Sequence, residues 1–185
     1  MRIKEIKARR IFNSNGGDAI EIEVVSDVAK GIASIGSGTS VGKYEVVSYP
    51  ENMKNVINLV NNYFNKDLKD IRVEAFGDLK RVEDYVRSHD ISDNMQKIGG
   101  NVLVALELAI LKSASNEPLY KFLNKGKIKK MPIPLGNCIG GGKHIGGPDF
   151  QEFLVLPKTN KVDLAAEINA DVYKKAKEEL KKKRR

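Results

Sequence analysis

Two glycine-rich loops and one polar-tipped strand hold the residues of this sequence that could take part in binding chemistry. The first loop, Gly36-Ser37-Gly38-Thr39-Ser40-Val41-Gly42, combines flexible backbone with several hydroxyl groups. Such a loop can close over an anion or offer an oxygen to a metal ion, and an ordinary flexible connection is an equally good interpretation. Its glycine spacing and the lack of a directly following helix pattern make it a poor match to a dinucleotide fingerprint.

The second loop, Gly140-Gly141-Gly142-Lys143-His144, has a phosphate-loop composition but the wrong pattern. Asn137 stands where the first P-loop glycine would be, and His144 replaces the Ser or Thr that binds magnesium. The remaining possibility is a glycine-rich arm that delivers one histidine to a phosphate or hydroxyl group. Taken alone, His144 is more simply interpreted as a structural residue.

The polar pair Gln151 and Glu152 opens an apolar strand predicted over Phe150 to Leu156. Neighbouring strand residues point to opposite faces, so the two side chains should diverge. Polar residues at the rim of a buried strand either cap the strand or line a site.

Residues 1 to 126 predict an α+β domain that would support the first loop. Residues 20 to 24 alternate between apolar side chains and glutamate, and short turns join three strands into an antiparallel meander. Helical periodicity follows in four stretches. These are a helix after Pro50 with Met53, Val56, Ile57, Val60, Tyr63 and Phe64 on one face, a helix with Leu79, Val82 and Val86, an almost wholly apolar helix over 101–115, and a short helix from Pro118 to Phe122.

Residues 127 to 185 predict a strand–strand–helix unit that carries the second loop. The strands are expected at Met131 to Leu135 and Phe150 to Leu156. The helix should present one apolar stripe, made of Leu164, Ile168, Val172, Ala176 and Leu180. One helix cannot bury both faces of two strands, so this unit requires a partner.

Composition indicates a folded protein, with 41% hydrophobic and 30% charged residues. A single cysteine, Cys138, excludes an internal disulfide, and two histidines do not form a zinc pattern. The N-terminus lacks an apolar signal core, and the longest apolar run, Val102 to Leu111, is too short for a membrane span. We therefore expect a cytoplasmic protein without a membrane contact.

The formal charge of +8 is concentrated at the C-terminus, where the last twelve residues hold eight basic and two acidic side chains. The solvated end of a lysine-rich helix explains this cluster most simply, because positive charge suits a helix C-terminus. Nucleic-acid binding is the alternative, but no aromatic platform or RNA-binding motif accompanies the charge.

Taken together, these segments resemble the N-terminal part of the enolases (phosphopyruvate hydratases) over nearly the whole chain. The family motifs S-G-A-S-T-G, L-G-A-N-A-I-L, P-L-Y, L-P-V-P, G-G-S-H-A and Q-E-F-M are matched in the same order by residues 37–42, 98–104, 118–120, 131–134, 141–145 and 151–154. The resemblance implies an α+β cap of a three-stranded meander with helices, followed by an incomplete β/α barrel.

The same resemblance implies a function in dehydrating 2-phosphoglycerate to phosphoenolpyruvate, with magnesium as the cofactor. The residues matched by His144, Gln151 and Glu152 lie beside the substrate in enolases. The loop matched by Ser37, Gly38, Thr39 and Ser40 closes over the site, where the serine at the position of Ser40 binds a second magnesium ion.

Several departures from the family pattern limit what this chain could do alone. The D-S-R-G-N-P turn appears as residues 13–18 without its arginine, and the E-x-R-D segment is shortened to Tyr49-Pro50-Glu51-Asn52. In the family, the general acid, three carboxylate metal ligands and the lysine base come from later barrel strands. We therefore expect no catalytic residue in this chain and no activity without the rest of a barrel.

Two hypotheses from different classes follow from these features. The chain is a fragment of an enolase, or one chain of a split enzyme whose partner supplies the remaining barrel, and it binds 2-phosphoglycerate only once the site is complete. Alternatively, it is a non-catalytic enolase-like binding or assembly module. The family's dimers also make a homodimer a plausible partner state.

Overall fold

The computed structural model describes residues 1–38, 40–127, 130–142 and 149–182. The chain forms two compact units, Met1–Lys127 and Ile128–Arg185, which are described separately below. Of the helices within the described ranges, none combines the length and hydropathy needed to cross a bilayer.

The first unit begins with the expected antiparallel meander of β1 (Ile3–Phe12), β2 (Asp18–Ser26) and β3 (Lys30–Ser34), paired in that order. Asn13 holds the first turn, because its Oδ1 accepts hydrogen bonds from two main-chain amides of the turn at 2.8 and 2.9 Å. The apolar residues at positions 20, 22 and 24 of β2 are fully buried, as their alternation predicts. The meander prediction is confirmed.

The helices of the first unit bury the inner face of this sheet. They are α1 (Met53–Leu59), which continues through a π-helical turn (Val60–Phe64) into α2 (Asn65–Asp67), then a 3-10 turn (Phe76–Asp78) leading into α3 (Leu79–His89), α4 (Gly100–Ser113) and α5 (Leu119–Leu123). The nearly apolar α4 packs on β2 and β3 and contributes eight buried residues. The predicted α+β architecture is therefore confirmed.

One residue of the predicted apolar face is placed wrongly by simple helical periodicity. Val56, Val60 and Phe64 are buried, but the side chain of Tyr63 is 59% exposed. The chain is π-helical at this point, and the wider turn rotates Tyr63 away from the buried stripe.

Asparagines on the same helical segment cover the free edge of β1. Asn65 Oδ1 accepts a hydrogen bond from the Ile6 amide at 2.8 Å. Asn61 Oδ1 accepts from the Ala8 amide at 2.7 Å, and its Nδ2 donates to the Ala8 carbonyl at 3.1 Å. These bonds satisfy main-chain groups that an edge strand would otherwise leave open to pairing with another chain.

We expect Asn61→Ala to lower the free energy of unfolding by about 1–2 kcal/mol, because it removes two hydrogen bonds at a partly buried strand edge. Urea denaturation followed by circular dichroism measures this change. Asn62→Ala is the matched control, since Asn62 is the exposed neighbour. Equal stabilities of the two variants would contradict a role of Asn61 in holding the strand.

The second unit consists of β4 (Gly136–Gly140), β5 (Glu152–Val155) and α6 (Val162–Lys182), with β4 and β5 antiparallel. The prediction of a strand at Met131 to Leu135 is wrong, because these residues form no ladder. Pro132 and Pro134 lack the amide hydrogen that a ladder needs, so pairing starts only at β4. The second predicted strand is shorter than expected at both ends.

The predicted stripe of α6 is confirmed only in its middle part. Ile168, Val172 and Ala176 are half-buried, whereas Leu164 and Leu180 are exposed and Ala165 is fully buried. Residues spaced by four drift about 40° around a helix at each step, so the predicted stripe spirals across the surface. Asn169 lies on the contact face, where its Nδ2 donates to the Pro134 carbonyl at 3.0 Å.

Candidate functional site

The hydroxyl-rich loop follows β3 and contains Ser37, Gly38 and Ser40, all of which are exposed; Thr39 lies outside the described residues. Its base is closed by a hydrogen bond of 2.5 Å from the Tyr49 hydroxyl to the Ile35 carbonyl. This contact joins the beginning and the end of the loop across fourteen residues.

The end of the loop is held by the start of α4. The amide of Gly100 donates to the Val47 carbonyl at 2.8 Å, and the amide of Asn101 donates to the Ser48 carbonyl at 3.1 Å. The Val47 amide in turn donates to the Asn94 carbonyl at 2.8 Å. First-turn amides, which have no partner within their own helix, thus bind the loop instead.

Glycine is required where this loop crosses α4. Gly99 has φ of +91°, and a Cβ there would lie 2.7 Å from the Ser48 carbonyl oxygen. A Cβ at Gly100 would lie 2.5 Å from Cγ2 of Val46. Close approach of the loop backbone therefore depends on Gly99, and the position of the Val46 side chain depends on Gly100.

In the second unit, the second glycine-rich segment lies beside the start of β5. The Gly141 amide donates to the Gln151 carbonyl at 2.8 Å, and Gly140 pairs with Glu152 across the hairpin. Gly142 has φ of +74° and packs near the Gln151 backbone. These contacts bring together the two ends of the connection that contains His144, which itself lies outside the described residues.

Gln151 and Glu152 are both exposed, and β5 begins at Glu152, so Gln151 comes immediately before the strand. The partner of Glu152 across the hairpin is Gly140, so the directly opposite position of β4 contributes no side chain. A carboxylate and an amide at the mouth of a loop can both hydrogen bond to hydroxyl groups of a ligand. The predicted site residues are thus divided between the two units. The first unit contains Ser37, Gly38 and Ser40, and the second contains Gln151 and Glu152.

The described residues do not by themselves fit a magnesium site. Nowhere in the ranges that the structure covers do three or more histidine, cysteine, aspartate or glutamate side chains cluster as metal ligands. Magnesium prefers several oxygen ligands in octahedral geometry, and Ser40 would offer a single hydroxyl.

Sequence reasoning assigned no role to Tyr49 or to the side chain of Asn101, although both contact the start of the loop. The only available signal was the position of Asn101 directly after two glycines at a predicted helix start. Nothing local marks Tyr49 as a partner of Ile35, because a hydroxyl-to-carbonyl contact leaves no periodic pattern.

Comparison with known proteins extends over almost all of the chain. The family model of the enolase N-terminal domain matches residues 3–123, and that of the enolase C-terminal TIM barrel domain matches residues 128–185. Three curated relatives illustrate the similarity, and each is named enolase. The enolase of Methanothermobacter thermautotrophicus is 35% identical over 98% of this chain. That of Ehrlichia canis is 37% identical over 98%, and that of Picrophilus torridus is 38% identical over 83%.

The relatives are much longer than this chain. The aligned region is 44% of the Methanothermobacter enolase and 46% of the Ehrlichia canis enolase. The chain therefore spans less than half the length of these relatives and corresponds to their first domain and the beginning of their barrel. With a family model covering well over half of its residues, the chain belongs to the enolase family.

Proposed function

We propose that this chain provides the cap and the first barrel elements of an enolase that dehydrates 2-phosphoglycerate to phosphoenolpyruvate. The remaining barrel would come either from further residues of the same polypeptide or from a second chain. Without that remainder, we expect no turnover. In this proposal the protein is a glycolytic lyase of the cytoplasm.

The open apolar surface of the second unit carries this proposal. Among the alanine, valine, leucine, isoleucine, methionine, phenylalanine and tyrosine residues that the structure describes in this unit, only Ala165 is fully buried. In β5 and the residue after it, Phe153, Leu154 and Leu156 are 44%, 48% and 66% exposed. A segment without a core of its own is stable only when other elements cover it.

Both faces of the hairpin share this property. Phe153 lies on one face of β5, whereas Leu154 and Leu156 lie on the opposite face, and all three are apolar. A strand that is apolar on both faces is typical of a sheet covered on both sides, as in α/β barrels. The surface chemistry therefore supports completion by the rest of a barrel.

Within the completed site, we propose that His144, Gln151 and Glu152 contact 2-phosphoglycerate. Ser37, Gly38, Thr39 and Ser40 would form the loop that covers it. The proton-abstracting base and the general acid would belong to the missing part of the barrel. Magnesium is the proposed cofactor, and its carboxylate ligands would also come from the missing part, with Ser40 as a single added ligand.

The test is complementation with the part of the Methanothermobacter thermautotrophicus enolase that this chain does not cover. We expect the two chains produced together to dehydrate 2-phosphoglycerate in magnesium-containing buffer, and each chain alone to be inactive. Formation of the enolpyruvyl double bond is followed by ultraviolet absorbance. Glu152→Gln should reduce the rate of the pair by about 100-fold, because loss of a charged contact to the substrate misplaces its reacting group.

The matched control is the Methanothermobacter enolase divided at the corresponding position, with its own first part replacing this chain. Activity of that pair shows that division of the barrel is tolerated. If the control pair is active and the pair with this chain is inactive and unassociated, the proposed function is wrong.

A non-catalytic binding or assembly module is the second candidate, and the self-contained core of the first unit favours it. Phe64, Leu106 and Ile110 are among two dozen buried residues that form one cluster within Met1–Lys127. A unit with such a core can fold without the barrel. Stable association with the complementing chain but no turnover would support this candidate.

A further inference from the structure

We propose that Tyr49 and Asn101 are positioning residues that hold the loop carrying Ser37, Gly38 and Ser40 in place. The inference rests on the proposed function, because the loop matters only if it covers a substrate. It concerns side chains that would act through the loop and would not touch the reacting atoms.

Tyr49 closes the loop at its base. The hydroxyl donates to the Ile35 carbonyl at 2.5 Å, while the ring is partly buried against the main core. A ring fixed by packing has little remaining freedom, so its hydroxyl is a rigid donor. This hydrogen bond connects Ile35, the first residue after β3, to Tyr49 at the end of the loop.

Asn101 holds both ends of the same loop at once. Its Nδ2 lies 3.4 Å from each of three oxygens, the Ile35 carbonyl, the Gly36 carbonyl and the Ser37 hydroxyl. Its main-chain amide binds the Ser48 carbonyl at the other end. Each side-chain contact is long, and the two N–H groups of this amide are shared among two carbonyl oxygens and one hydroxyl oxygen.

No other side chain of the described residues hydrogen bonds to positions 35 to 38. A Cβ built at Gly36 would meet no atom within 4 Å, so packing does not hold this point either. The helix does not depend on the Asn101 side chain, because α4 begins without a side-chain cap. Ile35 packs against the core, and beyond that residue the position of Ser37 depends on the donors of Tyr49 and Asn101.

The test uses two nearly isosteric substitutions in the full chain, Tyr49→Phe and Asn101→Asp. Tyr49→Phe removes one hydroxyl, and Asn101→Asp replaces the donor by a carboxylate that repels the carbonyl oxygens of Ile35 and Gly36. Backbone ¹⁵N order parameters at Gly36 and Ser37 should be near 0.8 in the parent chain. We expect them to fall below about 0.6 in each variant.

Asn101→Asp also separates positioning from general stability. A negative charge in the first turn of α4 is favourable there, so the melting temperature should stay the same or rise while the loop becomes looser. A purely structural role would lower the melting temperature and the order parameters together. The controls are Tyr120→Phe, an exposed tyrosine, and Asn116→Asp, whose amide binds the Val28 carbonyl at 3.5 Å.

In the complemented enzyme, both variants should lower kcat/KM for 2-phosphoglycerate by about 10-fold or more, since small displacements of a closing loop are costly. Unchanged order parameters at Gly36 and Ser37 in both variants would overturn the inference, whether or not the complemented enzyme is active. Looser loops with unchanged kcat/KM in an active pair would also overturn it. Failure of complementation bears on the proposed function alone, because the order parameters are measured without it.

Discussion

Replacement of Gly31 by alanine should destabilise the first unit by about 3 kcal/mol or more. A Cβ at this position would lie 2.0 Å from the Ala109 carbonyl oxygen and 2.7 Å from the Ser113 amide nitrogen. Both atoms belong to the backbone of α4, so no side-chain rotation can relieve the overlap. Forcing the helix away from β3 would open the core that β2, β3 and α4 share.

Urea denaturation followed by circular dichroism measures this loss, and Gly77→Ala is the control. A Cβ at Gly77 meets no atom within 4 Å, and its φ is not positive. That substitution should be neutral or should stabilise the protein by about 0.4–1 kcal/mol, because alanine lowers the conformational entropy of the unfolded chain. Similar stabilities of the Gly31 and Gly77 variants would show that α4 does not approach β3 this closely.

Replacement of Asp90 by alanine should cost about 3 kcal/mol, because it removes the acceptor of four hydrogen bonds. Asp90 is 2% exposed and directly follows the last residue of α3. It accepts from the amides of Lys97 and Ile98 at 2.9 Å each, and from the amide and hydroxyl of Ser92 at 3.2 and 2.5 Å. Without it, the amide of Ile98 is buried and unpaired at the approach to α4.

The Asp90 carboxyl group also makes the free energy of unfolding depend on pH. Burial by itself would raise the pKa of Asp90, but the hydrogen bonds from Ser92, Ile98 and Lys97 outweigh burial and hold the pKa below its usual value. A carboxyl whose pKa is lower in the folded state contributes its full stabilisation above the unfolded pKa of about 4. This contribution is lost as the pH falls from about 4 through the folded pKa.

Asp90→Asn should therefore be less stable than the parent near pH 7, and the gap should narrow below about pH 4. Denaturation at several pH values tests this, with Asp93→Asn as the control in the same loop. Asp93 is exposed. A gap between parent and Asp90→Asn that stays constant from pH 7 to pH 3 would contradict the role given to the Asp90 carboxylate.

Strands and helices in the first unit were predictable because their patterns are local. Alternation in β2 and the 3.6-residue periodicity of α3 both follow from one element facing one core. The failures share a different origin. Tyr63 lies at a π-helical turn, and Leu164 lies off the contact face of α6, so in both cases packing determined the rotation of the helix.

The need of the second unit for a partner was also evident in the sequence. Two apolar strands and one helix cannot cover one another, and the structure shows the exposed side chains that this shortage produces. The prediction of a strand at Met131 to Leu135 is wrong, because apolar residues alone do not show whether main-chain amides are available for pairing.

The features of the candidate site also differ in whether the sequence or the tertiary structure determines them. The sequence by itself determined the family, the two glycine-rich loops and the polar pair at Gln151 and Glu152, because motifs are short and contiguous. Only the tertiary structure decided that Tyr49 and Asn101 meet at Ile35, since these residues are 14 and 66 positions away from it. Hydrogen bonds between distant segments have no sequence period, and they depend on how the sheet and α4 are placed in three dimensions.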